Sequence, residues 1–354
     1  VFYRINKAQP ALWRDPNTIQ IGFGNNSVAI EELSLAQQQI IEALYSGVVE
    51  GQQEVLDETF KAAKGTTQDL IARLGSVMEA KESSSNKFGP WQELAFAELA
   101  RAALDYDVNP EMVLAERWQR TVHIDQLDKS GSVLAKVLFA SGVGKVVTHD
   151  DGRVLNTDLG ELGYSKDDLG KSRFETFKQE LQRLSLPQET KNRFLDLNIK
   201  PSKALKISFA ITMGHIATRP STYIRWLNRD VPHLNIIFDM NETKISPIII
   251  PGETPCLNCL AEYEVDKDPA WPALASQLID LPRTRDDSAS LLAATGLALR
   301  ATLRHLDKSA GFKVSNDEEN EYSLGYLLDY ATGNVERTKY SFHKLCNCRG
   351  LDQV

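Results

Sequence analysis

The chain has 354 residues, 42% of them hydrophobic and 25% charged, with 48 acidic against 40 basic side chains and a net charge of -8. That length suffices for two domains, each with its own core. The composition is that of an ordinary globular protein, and the acidic balance argues against a general nucleic-acid or membrane-surface binder. The opening Val1-Phe2-Tyr3-Arg4 carries no apolar signal core, and no apolar run reaches transmembrane length. A cytoplasmic location, with no membrane and no nucleic-acid partner, is therefore expected.

Residues 2–5 and 11–14 read as short extended pieces, Asp15-Pro16-Asn17 as a turn, and residues 18–22 as a strand with alternating apolar side chains. Val28, Ala29 and Ile30 form a further short strand. Ser34 opens a helix, with Gln37 at the capping-box spacing, Leu33 before the cap, and Ile40, Ile41 and Leu44 on one face. Gly47 stops it. Residues 49–60 and 67–78 read as two more helices, the second capped by Thr67. A small sheet with three short helices predicts a winged-helix-like α+β module over residues 1–83. Such modules read DNA through a basic helix, or capture peptides by adding a strand to the sheet. Residues 67–78 carry Arg73 as their one cation, too little charge for phosphate contacts. The expectation is peptide capture along Val28, Ala29 and Ile30, with Arg73 on the nearby helix. The alternative is a module that only packs on the main domain or on a second subunit.

The polar, serine-rich residues 81–86 read as a linker, and residues 84–354 as the second domain. Residues 91–104 and 111–119 are predicted helices, the latter capped by Asn109-Pro110. Strand and helix then alternate: strand 121–125, helix 132–141, strand 145–149, helix 168–184, strand 204–211, helix 221–229, and strands 234–238 and 245–250. Residues 121–149 make a βαβ unit, so the domain is expected to be α/β with a doubly wound, Rossmann-like parallel sheet. Helices 274–278 and 289–306 follow. Strands 322–330 and 335–342 flank Ala331-Thr332-Gly333-Asn334, a hairpin signal.

A doubly wound sheet binds nucleotide through a glycine-rich loop after its first strand. Here that loop reads Gln126-Leu127-Asp128-Lys129-Ser130-Gly131-Ser132, and Gly131 is its one glycine. Asp125 and Asp128 repel phosphate, and Lys129 compensates in part. Asp150 and Asp151 end the second strand, where a carboxylate commonly meets a ribose. An exposed acidic turn explains them equally well. His215 and Arg219 follow the third strand at the sheet edge where ligands bind, although a neutral packed histidine is the commoner explanation of His215.

The four cysteines fall in two pairs, Cys256 and Cys259 in Pro-Cys-Leu-Asn-Cys, and Cys346 and Cys348 in Cys-Asn-Cys. Each pair can put two thiolates on one side of a tetrahedral Zn²⁺, and together they make a closed structural site. Two local disulfides or four unrelated thiols are the alternatives, but a Cys-x-Cys disulfide is strained. His343 is expected to support the site from behind the thiolates.

With these residues in place, the chain resembles the ThiF-like adenylating superfamily, which includes activators of ubiquitin-like and sulfur-carrier proteins. The resemblance rests on the degenerate βαβ unit, Asp150-Asp151, Asp168-Leu169-Gly170-Lys171, the Pro-Cys-x-x-Cys segment and the hairpin running into Cys-x-Cys. It is similar above all to the ThiF-like partner proteins of azoline-forming peptide cyclodehydratases. Residues 252–260, 266–272 and 329–348 match their zinc segment and C-terminus, and residues 3–22 match their leader-peptide-binding module. The resemblance implies a precursor-peptide partner, a separate YcaO-type cyclodehydratase, structural zinc and a homodimer. It places a nucleotide, if any, at Gly131, Asp150, Asp151 and Lys171. The departures imply a pseudoenzyme without ATP or Mg²⁺. The glycine loop is lost, and Glu161 stands where the family has an arginine finger. Residues 211–214 lack the family's metal-holding aspartate, and no spare cysteine remains for a thioester. The alternatives are an active adenylyltransferase and a purely structural dimer subunit.

Overall fold

The computed structural model describes residues 2–24, 27–79, 95–106, 108–184, 188–197, 205–279, 287–313 and 321–349. The chain forms two compact units, Val1–Ala115 with Gly311–Asn316, and Glu116–Ala310 with Asp317–Val354. The expected linker and the 83/84 boundary lie outside the described residues.

In the first unit, β1 (Phe2–Tyr3) is followed by β2 (Ala11–Asp15), β3 (Thr18–Ile21) and β4 (Val28–Ile30), which form an antiparallel sheet with β3 in the middle. Next comes α1 (Leu35–Ser46), with the expected capping box: Gln37 N donates to Ser34 Oγ, and Ser34 N donates to Gln37 Oε1. β5 (Val48–Val49) pairs back on β1. α2 (Gln53–Thr59) and α3 (Thr66–Arg73) are shorter than the sequence pattern predicts, because residues 50–52 turn and Gly75–Val77 tighten into a 3₁₀ turn. Thr67 does not cap α3; Gly65 takes that position. The Thr67 hydroxyl instead donates to Asp57 Oδ1 at 2.6 Å, and the backbone N–H groups of Gly65 and Thr67 donate to the same buried carboxylate at 2.7 and 2.8 Å. Asp57 thereby ties α2 to the start of α3. The core gathers Ile5, Ile21, Ile30, Ile40, Leu44 and Leu70. α4 (Phe96–Asp105) lies in this unit, and α5 (Pro110–Gln119) runs past its end at Ala115.

The second unit is a mixed α/β structure with a large, mostly parallel sheet. In chain order it contains β6 (Thr121–Ile124), α6 (Lys129–Ala140), β7 (Lys145–Thr148), α7 (Arg173–Arg183), α8 (Gln188–Lys191), β8 (Phe194–Asp196), β9 (Phe209–His215), α9 (Pro220–Leu227), β10 (His233–Phe238) and β11 (Glu242–Ile245). α10 (Leu257–Lys267), α11 (Trp271–Leu278), α12 (Ser288–Ser309), β12 (Leu324–Asp329) and β13 (Val335–Lys339) complete it. The strand order is β13-β12-β11-β10-β9-β6-β7-β8. The five strands from β10 to β8 are parallel, and β11, β12 and β13 extend the sheet antiparallel. Phe139, Phe177, Phe209, Ile211, Leu234 and Leu291 are among the side chains that fill the main core. A buried bidentate pair, Arg117 to Asp307 at 2.8 and 2.6 Å, ties α5 to α12.

Several boundaries differ from expectation for local reasons. α6 starts at Lys129 because Asp128, not Ser132, opens it. The expected helix over 168–184 begins only at Arg173, after Gly170 in the left-handed region and Ser172 as cap. β9 runs on to His215 because β10 pairs with it along its length; residue 204 lies outside the described residues. The strand expected over 245–250 stops at Ile245, since Pro247 has no N–H to donate, and only Ile249 bridges back to His233.

Burial alone would raise the Asp57 pKa, but the hydrogen bonds from Thr67, Gly65 and Thr66 outweigh it and hold the carboxyl below its usual range. Folding therefore favours the ionised form. The stabilisation is present above the unfolded-state pKa and is lost as pH falls through the lower folded-state value. Asp57→Asn is expected to cost about 1–3 kcal/mol at neutral pH. In urea unfolding, the gap from wild type should close as pH drops below about 4.

Candidate metal centre and switch-point crevice

Cys256 is the N-cap of α10, and Cys259 lies in its first turn. Both sulfurs thus sit at the positive end of a helix, which favours thiolate. The β12–β13 hairpin carries the chain back so that Cys346 and Cys348 meet them. Sγ of Cys256 lies 3.6 Å from that of Cys346, Sγ of Cys259 lies 3.4 Å from that of Cys348, and all four fall within 4.8 Å of one another. Tetrahedral zinc with Zn–S bonds of about 2.3 Å spaces its sulfurs about 3.8 Å apart. All four thiols are free, and the close contacts run between the pairs rather than within them, unlike the local-disulfide alternative. Tyr223, Ile249 and Leu257 pack around them. In that apolar setting the thiols share protons: hydrogen bonding with Cys256 holds Cys259 low and Cys256 high, and burial pushes Cys346 up. The donor set fits a soft divalent cation that replaces those protons. His343 stands behind the centre. Its Nε2 is 3.0 Å from Asp266 Oδ2, its Nδ1 accepts from Leu345 N, and its carbonyl accepts from Cys346 N. Asp266 is held ionised below its usual range first by that His343 contact.

The sheet order reverses between β6 and β9, and the crevice beyond their carboxyl ends is where such folds bind ligands. There, Asp128 Oδ1 accepts the Gly131 N–H at 2.9 Å, and Asp128 Oδ2 lies 3.5 Å from His215 Nε2. A Cβ on Gly131 would come within 1.9 Å of the Gln126 carbonyl oxygen. Gly131 therefore lets α6 pack close against the turn, and its N–H already has an acceptor. Asp150 is buried and accepts from Leu127 N at 2.6 Å and Gly152 N at 2.8 Å. Arg173 lies among these acids, 2.7 Å from Asp158 and 3.6 Å from Asp150. Tyr164 donates to the Leu127 carbonyl at 2.6 Å, and burial pushes its pKa far up. The crevice thus presents buried carboxylates around one guanidinium that they already neutralise. This arrangement does not fit a phosphate chain.

Asp151 is exposed on the turn after β7. Lys171 is exposed, off the helix, and paired to Asp168 at 3.1 Å. Glu161 is exposed in the turn between Leu159 and Tyr164. Sequence reasoning passed over Arg173 and Asp158. With the helix expected from residue 168, Arg173 fell inside it; only the structure puts it at the first position, where the dipole disfavours a cation unless carboxylates face it. In the first unit, β4 is an edge strand, with Ala29 exposed and Ile30 buried. Arg73, in the last turn of α3, lies 3.8 Å from Asp69.

No protein-family model matches the sequence, and no curated protein matches it significantly. Solved structures do. E. coli MccB with ATP superposes with a TM-score of 0.68 at 16% identity, over 99% of this chain and 100% of that one. The microcin C7 biosynthetic enzyme MccB in complex with N-formylated MccA gives 0.67 at 16%, with the same coverage. PaaA gives 0.65 at 14%, over 94% of this chain and 98% of its own. The fold is that of MccB and PaaA. The likeness covers residues of both compact units.

Elemental analysis of the purified protein should find one metal ion per chain, and Cys256→Ser should lower both the metal content and the melting temperature. Gly131→Ala should destabilise by about 3 kcal/mol in denaturant titration, the upper end for overpacking, because the clash is with backbone.

Proposed function

We propose that the protein is a catalytically degenerate ThiF-like pseudoenzyme that binds a precursor (leader) peptide and presents it to a separate modifying enzyme of the YcaO type. The observation that carries this reading is the crevice. Asp150 and Asp158 face Arg173 beside the sheet's switch point, and Asp128 already accepts the Gly131 N–H. Stabilising developing phosphoryl charge requires unspent donors and cations. On this reading the metal is structural zinc, the chain works as a homodimer in the cytoplasm, and residues 1–83 are a winged-helix-like peptide clamp. The free edge at β4 supports the clamp, because an extended peptide can continue a sheet there through main-chain hydrogen bonds. Val28, Ala29 and Ile30 supply that edge, and Arg73 supplies a cation. The complex of MccB with N-formylated MccA supports a partner of this kind.

The complex of MccB with ATP favours a second reading, an active adenylyltransferase for the C-terminus of a small protein, with Lys171, Asp150 and Asp151 in the site. Isotope exchange between pyrophosphate and ATP separates the two. With the full chain and candidate acceptor peptides present, no exchange above the protein-free rate is expected; robust exchange would establish the second reading. For the clamp, the double variant Val28→Lys, Arg73→Glu should weaken leader-peptide binding at least tenfold in calorimetry while leaving the melting temperature within a few degrees. Unchanged affinity would remove β4 from the site.

A further inference from the structure

One face of the large sheet carries imidazoles where the opposite face carries the apolar core. Val122 and Ile124 of β6 point into that core, so His123 between them points the other way. In the ladder, His123 stands opposite Ala210 of β9, and Ala210 stands opposite His233 of β10. The three side chains are therefore neighbours on one face. α9 covers them. Its Trp226 clusters with Ala210 and Val231, and the indole centroid lies 4.5 Å from that of the His123 ring. His123 and His233 are as fully buried as the tryptophan.

Hydrogen bonding leaves these rings no place for a further proton. His123 Nε2 lies 2.8 Å from His149 Nδ1, so one ring donates and the other accepts. His123 Nδ1 is buried and has no partner in the protein. A buried N–H without an acceptor is the rarer defect, which assigns the His123 proton to Nε2. A second proton on His123 would bury an N–H with no acceptor, and one on His149 Nδ1 would set two N–H groups head to head. His233 repeats the pattern: Nδ1 donates to the Val231 carbonyl at 2.9 Å, and Nε2 is buried without a partner. Charge reinforces the geometry. His149, after β7, and Arg225 and Arg229, on α9 and the turn after it, all oppose a positive charge on His123. Burial first, then these groups, hold His123 well below its usual range. Burial outweighs the Val231 hydrogen bond and pushes His233 down to about 4.

With α9 lifted from the sheet, both imidazoles reach water and ionise near their ordinary value of about 6.5. The closed state depresses both. Its stability is therefore fully present above that pH and declines below it, because the lifted state takes up the protons first. Trp226 Nε1 is also buried without a partner, so the seam under α9 already contains unsatisfied polar atoms from three side chains. A weakly satisfied seam is where a local opening starts. The helix reaches further: its Tyr223 packs in the cysteine cluster and donates to Asn258 Oδ1 at 2.9 Å. We propose that α9 is an acid-released latch, closed on the sheet while His123 and His233 are neutral and lifted when they take up protons, which uncovers the Ala210 face and withdraws Tyr223 from the cysteine cluster. The latch stands on the histidine geometry and is independent of whether the cysteines hold a metal.

Hydrogen exchange of the full-length protein, read by mass spectrometry, tests the latch. Between about pH 7.5 and about pH 6.0, still above the isoelectric point, each histidine favours the lifted state about fourfold and the two together about fourteenfold. After correction for the chemical exchange rate, amides of α9 should exchange roughly tenfold faster or more at the lower pH, while those of α6 and α12 change less than about twofold. α12 is the control for general acid unfolding. Its His305 is buried beside Phe209, on the opposite face of the sheet, and burial pushes it down to about 4 as well. His123→Phe should reduce the acceleration in α9 to about fourfold, the share of His233. Equal acceleration in α9 and α12, or none in α9, overturns the latch, and so does His123→Phe with the full wild-type acceleration. The wild-type comparison of α9 with α12 decides the matter even where His123→Phe fails to fold.

Discussion

The convergence of four sulfurs is the constraint on which the C-terminal half of the second unit depends. Cys256 and Cys346 are 90 residues apart, and Cys259 and Cys348 are 89 apart, yet their sulfurs meet. β13 is an outer strand whose five residues are all exposed, so packing does little to hold the end of the chain. Beyond β13 the chain is fixed by His343 on Asp266, the bridge from Arg349 to Gly252, and the sulfurs themselves. Closing so long a loop costs entropy that one weak thiol contact does not offset, whereas a coordinated cation does. The helix N-terminus beneath Cys256 and Cys259 adds to the same preference for thiolate.

A second network governs the crevice, and it shows why one set of groups cannot serve two purposes. Arg173 stands at the unfavourable end of α7, and Asp158 and Asp150 offset that cost. Removing the arginine would leave buried carboxylates uncompensated, which is far costlier than any gain from the pair itself. An incoming phosphate would have to compete with Asp158 for Arg173 and with Asp128 for the Gly131 N–H. The fold provides the crevice; in this chain Asp150 and Asp158 face Arg173 there, and Asp128 faces Gly131.

Much of this was legible in the sequence where a local rule has one solution. The Ser34–Gln37 box, the stop at Gly47, the βαβ unit of residues 121–149, the hairpin around Gly333 and the cysteine pairs each rest on spacing alone. The losses have equally specific causes. β8 is three residues long, too short for an alternation to register. α10 hides in the cysteine segment, where loop-like chemistry masks a helix that Cys256 itself starts. Asp128 was legible as a charge hostile to phosphate but not as the cap of α6. Arg173 and Asp158 meet only through tertiary contact across a turn, and no periodicity reports that.

The loops of the crevice have a further property in common. Asp158 accepts from Leu155 N, Asp168 from Ser165, Asp150 from Gly152 and Leu127, and Asp128 from Gly131. Each acid closes its own turn by accepting a backbone or hydroxyl hydrogen. In a nucleotide-binding loop those donors wait for the ligand, and binding stabilises the folded state by mass action. Here the N–H groups of Leu127, Gly131, Gly152 and Leu155 already have carboxylate acceptors within the protein. A crevice built this way keeps the fold seen in MccB and PaaA while its own acids accept the hydrogens that its turns offer.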